Sequence, residues 1–263
     1  MIVGGLSEPS NKRWGDDLVI STFELKQKAI ELGADLVGIA DLRRVGGIST
    51  EPRDLLEPYT KAVVIAVAVS PDVFAQITNA PTPLYVHHYQ AVNLLLDNIN
   101  LRLQNEILHK GFRALAIPAS LTVDKVNWMG HISHKAMAKA AGLGWQGKSL
   151  LLVTPKYGPR VRLATLLTNA PLDPDPLQPN RCGTCNKCQV ACPAAAIKGV
   201  SWDDHPHSRE EALHFTRCVE KLTNDFAKRP EIGKNICGVC ISVCPWGKRL
   251  FPQISSKVTV LAD

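Results

Sequence analysis

Arg181-Cys182-Gly183-Thr184-Cys185-Asn186-Lys187-Cys188-Gln189-Val190-Ala191-Cys192-Pro193 is the stretch on which the reading of this chain turns. Its spacing is C-x2-C-x2-C-x3-C-P, a run in which three thiolates grip one [4Fe–4S] cluster and the fourth ligates a second cluster. A tight loop brings the three closely spaced sulfurs around three corners of a cube. The fourth is directed away by the turn and proline that follow. A second group, Cys237-x2-Cys240-x3-Cys244-Pro245, repeats the last three cysteines of the run, with Lys234 where the first would stand. Cys218 is the remaining one of the eight cysteines and supplies the missing ligand. The spacing therefore assigns Cys182, Cys185, Cys188 and Cys244 to one cluster, and Cys192, Cys218, Cys237 and Cys240 to the other.

Two other uses of eight cysteines were weighed. Structural zinc sites favour paired C-x2-C knuckles without the x3-Cys-Pro ending. Disulfides belong to oxidising compartments, and the N-terminal MIVGGLSEPSNKRWGDD carries neither the apolar run nor the cleavage site of a secretory signal. No apolar run reaches the roughly 20 residues that span a bilayer, so a cytoplasmic protein off the membrane is expected. The composition is globular, 45% hydrophobic and 21% charged over 263 residues. The formal charge of +6 tilts it toward an anionic ligand or an acidic partner without making a nucleic-acid tail.

Upstream, Ser21-Thr22-Phe23-Glu24 has the form of a capping box opening a helix to about Leu32, with Gly33 to end it. Ala34 to Ala40 and Ala62 to Val69 read as buried strands. Val92, Leu95, Leu96, Ile99, Leu103 and Ile107 recur at helical spacing, predicting a helix from about Tyr89 to His109. Phe112 to Ile117 reads as a strand and His131 to Ala141 as a helix. Ser149 to Thr154 and Arg160 to Thr168 flank the turn Pro155-Lys156-Tyr157-Gly158-Pro159 and predict a hairpin, with Lys156, Arg160 and Arg162 facing solvent. The fold expected is α+β, an α/β-type N-terminal domain followed by a two-cluster ferredoxin-like domain. Its parts are an arm over 1–20, the first domain over 21–170, a proline-rich linker over 171–180, and the cysteine domain and tail over 181–263.

Gly142-Leu143-Gly144-Trp145-Gln146-Gly147-Lys148, the segment after it, RCGTCNKCQVACPAAAI, RCVEKLT and ICGVCISVCPWGK together resemble the cobalamin-dependent epoxyqueuosine reductases, a family related to the reductive dehalogenases. The earlier GADLVGIAD is similar to that family's N-terminal pattern. The resemblance implies a first domain that holds a corrinoid with its lower base displaced, fed with electrons by the two clusters. It implies corrinoid contacts at Gly142, Gly144, Trp145, Gly147 and Lys148, where glycines let the main chain approach a flat cofactor. It also implies a catalytic acid. Asp124, in Val123-Asp124, is the candidate, although it stands about four residues further from Gly142 than in the family. His134-Lys135 occupies the family's Glu-Arg place, which makes His134 a second candidate for proton delivery.

The family's tRNA-modifying members continue into a helical-repeat domain, whereas this sequence ends at Asp263, so tRNA is not the expected substrate. A small molecule or a partner protein is expected instead, with a ferredoxin or flavodoxin as electron donor. The alternative is a two-cluster electron carrier or activase that reduces a partner protein and binds no corrinoid.

Overall fold

The computed structural model describes residues 20–248 except 205 and 207; the expected arm and the end of the tail lie outside these residues. Helix α1 (Thr22–Glu31) starts where the Ser21 hydroxyl accepts the Glu24 amide, and Gly33 leaves it at φ 108. The sheet is built from β1 (Leu36–Asp41), β2 (Lys61–Ala68), β3 (Ala114–Ile117) and β6 (Val161–Thr168) in the order β1-β2-β6-β3. Every pairing in it is antiparallel. That makes the first domain α+β, in line with the fold class read from the sequence.

Strand β2 shows why this sheet has to be covered on both faces. Its Val63, Ile65 and Val67 join one core cluster, with Leu96, Ile99, Leu103 and Ile107 of α3 (Pro83–His109) and Leu25 and Ala29 of α1. Its Ala62, Val64 and Ala66 join another, with Met137, Ala138 and Ala140 of α4 (His134–Ala140). A period of two with apolar residues on both faces needs an apolar layer above and below. Each buried aliphatic side chain contributes roughly 1.5–3 kcal/mol to holding the layers together. α3 starts six residues before the expected Tyr89, because Thr82 caps it through the Tyr85 amide and Pro83 suits the first turn.

The expected hairpin is not formed. Strand β5 (Leu152–Val153) instead pairs with β4 (Trp145–Gln146), while β6 is drawn into the main sheet between β2 and β3. The 155–159 turn does close on itself, through a bridge of Thr154 to Gly158. The reason lies in β6 itself, whose Leu163, Ala164, Leu166 and Leu167 are all 7% exposed or less. A strand that is apolar on both faces is a central strand, not one arm of a surface hairpin. The proline-rich segment is strapped to the first domain. Asp175 accepts Lys26 at 2.6 and 2.7 Å and the Ile39 amide at 2.7 Å, and Leu172 is buried.

The cysteine segment contributes only short helices, α5 (Lys187–Val190), α6 (Arg209–Ala212), α7 (Phe215–Glu220) and α8 (Val239–Ser242). Its small core consists of Leu150, Ile197, Ala212 and Leu213, with Cys188, Cys192 and Cys240 packed against it. Such a core is too thin to stand by itself and leans on the groups its thiols hold. Among the described residues no helix is long and apolar enough to cross a membrane.

A candidate cofactor cavity beside two cysteine sets

The eight thiols are free and partly buried, and their neighbours divide them in two. Burial and then Cys182 and Cys185 push the Cys188 thiol up, and Cys182 and Cys188 act likewise on Cys244, which reaches about 11. Burial and then Cys192 push Cys218 up, and Cys218 and Cys192 act on Cys237, also reaching about 11. Burial above all pushes the Cys240 thiol up, followed by Cys237, Cys188, Cys192 and Cys218, so it feels both groups. Clustered thiols this hard to ionise stay protonated unless a cation replaces the protons, which is the behaviour of a ligand set. Among the described residues no three ligand groups converge on a single metal ion.

The first domain grips the cysteine loops directly. Arg160, 2% exposed, donates to the carbonyls of Trp246 at 2.5 Å, Ser242 at 3.1 Å and Cys244 at 2.9 Å. The expected solvent-facing arginine is therefore a buried clamp on the Cys244-Pro245-Trp246 turn. Lys148 plays the matching part on the other loop, donating to the carbonyls of Gly183 at 2.8 Å and Cys185 at 3.2 Å. Gly158 is at φ 59, and a Cβ there would come within 2.1 Å of the Trp246 carbonyl. Trp145 meets Trp246 edge to face at 4.8 Å.

A cavity of about 890 Å³ opens between the first domain and this segment. Its walls are the loop after β3, residues 126–136, Leu150 to Leu152, the start of β6, and Ser208 to Glu210 with Phe215 and Thr216. It is large for a small-molecule site, which typically takes up roughly 300–1,000 Å³. Phe215 and Ile241, which line it, lie beside Cys218 and Cys240 in the chain, and Leu150 packs against Cys188, Cys192 and Cys240. The cavity thus shares a wall with the cysteines. Trp128 at φ 54 and Leu150 at φ 59 are non-glycine residues in the left-handed region on that lining. Backbone strain of this kind persists where surrounding structure fixes it, and it gathers at binding sites.

Each residue expected from the sequence has a definite place. Gly142, Gly144 and Gly147 are taken up by chain packing: a Cβ would meet the Pro176 carbonyl at 2.1 Å, the Val153 carbonyl at 2.1 Å and the Val153 side chain at 2.7 Å respectively. None of these, nor Trp145 or Lys148, lines the large cavity; Gly147 and Lys148 line the smaller one formed by Cys182, Cys185, Cys188, Cys240 and Cys244. Within the motif it is Gln146 that reaches the large cavity. Its Nε2 is buried without a hydrogen-bond partner.

The two expected proton donors are both engaged by their surroundings. The Asp124 carboxylate accepts the amides of Val126 and Asn127, both at 2.9 Å, and Asn127 Nδ2 at 2.7 Å. Those bonds, led by Asn127, hold it below the usual carboxylate range, so it is an ionised acceptor that shapes the 124–129 loop. His134 lines the cavity, but Nδ1 meets the Thr165 hydroxyl at 2.8 Å and Nε2 meets the Pro118 carbonyl at 2.9 Å. Burial pushes its pKa down to about 4, which leaves a neutral ring tying α4 to the sheet and to the loop after β3. Sequence reasoning passed over Lys135. It faces the cavity, has no hydrogen bond or ion pair, and is pushed down to about 8 by burial and then by Arg209 and Arg162.

The fold and the paired cysteine sets define a two-cluster iron–sulfur protein: residues 181–247 match the 4Fe-4S double cluster binding domain. Over 243 residues the chain is 31% identical to the epoxyqueuosine reductase of Synechococcus sp. strain CC9605, covering 88% of this chain and 70% of that protein. The chain belongs to the epoxyqueuosine reductase family. The enzyme of Listeria monocytogenes is 36% identical over 126 residues, 45% of this chain and 31% of its own length. The chain thus matches about a third of the length of that relative. Among solved structures, a catabolic reductive dehalogenase in complex with 3-bromo-4-hydroxybenzoic acid aligns with TM-score 0.67 at 20% identity, over 90% of this chain and 34% of that one. An epoxyqueuosine reductase with a modified tRNA stem loop aligns with TM-score 0.56 at 24% identity, over 87% and 66%. At these identities the structural likeness establishes the fold.

Proposed function

We propose that this chain is a reductase in which two [4Fe–4S] clusters deliver electrons to a base-off cobalamin held in the large cavity. One observation carries the proposal: a cavity of about 890 Å³ shares a wall with the cysteine sets, and Gln146, one of its lining residues, has a buried Nε2 without a partner. An unpaired buried amide costs about 1–3 kcal/mol, and a ligand acceptor would relieve it. Corrinoids carry amide carbonyls around the macrocycle that suit such a donor. A reductive dehalogenase of similar fold, aligning with TM-score 0.67 at 19% identity and associated with B12-dependent dehalogenation, supports the same reading.

Bound there, cobalamin supplies a metal centre that exchanges electrons singly and makes and breaks bonds to a substrate. The protein supplies the rest. Cys182, Cys185, Cys188 and Cys244 hold the cluster on the Arg160 and Lys148 side. Cys192, Cys218, Cys237 and Cys240 hold the one beside the cavity. Leu150, Phe215 and Ile241 form the apolar partition between that cluster and the cavity, keeping the electron path short and dry. His134 fixes the wall in the neutral state, Asp124 holds the 124–129 loop, and Gln146 would help hold the corrinoid from the cavity wall. Electrons would arrive from a ferredoxin or flavodoxin, and the substrate would be a small molecule.

Anaerobic equilibrium dialysis of the cluster-replete protein against cob(II)alamin tests the reading. About one corrinoid per chain should be retained, as one cavity requires, and Gln146→Leu should retain less. If the wild-type chain retains none, the corrinoid reading falls and a two-cluster electron carrier takes its place.

A further inference from the structure

We infer that the cavity recognises its substrate through an anionic group, a carboxylate or its equivalent, bound by Lys135. The inference rests on the cavity reading above and adds the chemical class of what it takes. Lys135 stands at the start of α4 beside His134, and its side chain faces the cavity. It is partly enclosed by protein, with the thiols of Cys240 and Cys218 the groups that favour its charge, and among the described residues it makes no hydrogen bond and no ion pair. A buried ammonium without a partner is among the most costly features a fold can keep. Such a group persists where a ligand supplies the missing charge.

The rest of the lining agrees in sign. Arg162 and Arg209 line the same cavity and are close enough to disfavour the charge on Lys135. Both are held in place. Arg162 is bonded to Asn93 at 2.9 Å and to Tyr89 at 3.2 Å and lies over the Tyr89 ring. Arg209 is bonded to the carbonyls of Asn127 at 2.7 Å and Trp128 at 3.0 Å, over the Phe215 ring. Glu210 is the one carboxylate among the described lining residues, against these three cations. Asp124, which also acts on Arg209, is turned into its own loop. The two arginines set a positive field, each held by two of its five N–H donors, and Lys135 is the lining cation with none of its hydrogens engaged among the described residues. Around it Ile117, Leu121, Trp128 and Ile132 offer an apolar bed for the body of the molecule. An apolar lining with one free cation describes a site for an organic anion.

A corrinoid brings an anion of its own, the phosphate of its nucleotide tail, so the experiment separates the two sources. 2-Naphthoate and its neutral counterpart 2-naphthamide are dialysed against the cluster-replete chain, with and without saturating cob(II)alamin. The wild-type protein should hold the acid at least tenfold more tightly than the amide, about 1.4 kcal/mol, and should do so with the corrinoid bound. Lys135→Met should abolish the preference, and Lys135→Arg should keep it. Iron content shows whether the variant holds its clusters; should it not, Lys135→Gln serves in its place. Equal binding of acid and amide by the wild type, or a preference that survives loss of the ammonium, overturns the inference. So does a preference that vanishes once cobalamin is bound while Lys135→Met weakens cobalamin and spares cobinamide, because the partner would then be the cofactor's phosphate. Failure of the cavity to retain any corrinoid is read separately from the corrinoid absorbance and counts against the proposed function alone.

Discussion

Acidification should destabilise this protein through His134, by an amount that the structure sets. The ring is neutral in the folded chain with its pKa pushed down to about 4, against an ordinary value of 6.5. Between those values the unfolded chain binds a proton that the folded one does not. The stability is therefore complete above pH 6.5 and drains away as the pH falls through 6.5 toward 4. Linkage over that interval gives a loss of about 2 kcal/mol between about pH 7.5 and pH 5. In a chain of this size that corresponds to a fall of about 4–8 °C in unfolding temperature. Acid labilises clusters as well, so the assay is a comparison. His134→Gln can still donate to the Pro118 carbonyl, and it has no proton to gain in this range. Its unfolding temperature should be lower than wild type at about pH 7.5 because the Thr165 bond is lost, and the gap should close as the pH falls to 5. Parallel pH profiles for the two proteins would refute the buried neutral ring, and with it the reason for denying His134 a proton-donating role.

Four other substitutions probe the cysteine sets, their support and the packing at two glycines. Cys218→Ala should lower the iron content from about eight to about four per chain; retention of both clusters by iron analysis and electron paramagnetic resonance would break the assignment. Arg160→Met removes a cation beside Cys244 and three bonds to the 242–246 turn, so that cluster's potential should move to more negative values in a redox titration, since a nearby cation favours the more negative reduced form. Gly144→Ala would bring a Cβ to 2.1 Å from the Val153 carbonyl and should cost about 1–3 kcal/mol in thermal unfolding. Gly46→Ala, with nothing within 4 Å, should be nearly silent.

What the sequence made legible was whatever is local. The cysteine spacings are set by a few bonds of chain, and β2 and α3 announce themselves by periods that a short window contains. The α+β class followed from those elements. The pairing of β6 did not, because a strand's partners are chosen across the molecule: β6 lies between β2 and β3 with register partners nearly a hundred residues away for β2. The glycines of the Gly142–Lys148 motif were visible, but their use was not. Only the coordinates show that Gly142 yields room to Pro176 and Gly144 to Val153, leaving Gln146 as the motif's side chain in the cavity. Lys135 is the clearest case. The sequence put it, with His134, in the family's Glu-Arg place, but what marks it is a missing partner, a property of the space around it. The polarity of the cavity, assembled from loops far apart in the chain, could be read only after the fold had brought them together.

The account stands or falls on whether the clusters pass electrons to a corrinoid in the large cavity. The direct measurement is anaerobic: reduce the clusters, remove the reductant, add hydroxocobalamin, freeze at intervals and record electron paramagnetic resonance spectra. The account predicts that the reduced-cluster signal declines as a base-off cob(II)alamin signal grows with the same electron count, bound to the protein. Clusters that stay reduced beside a corrinoid free in solution with its base still on cobalt would contradict it.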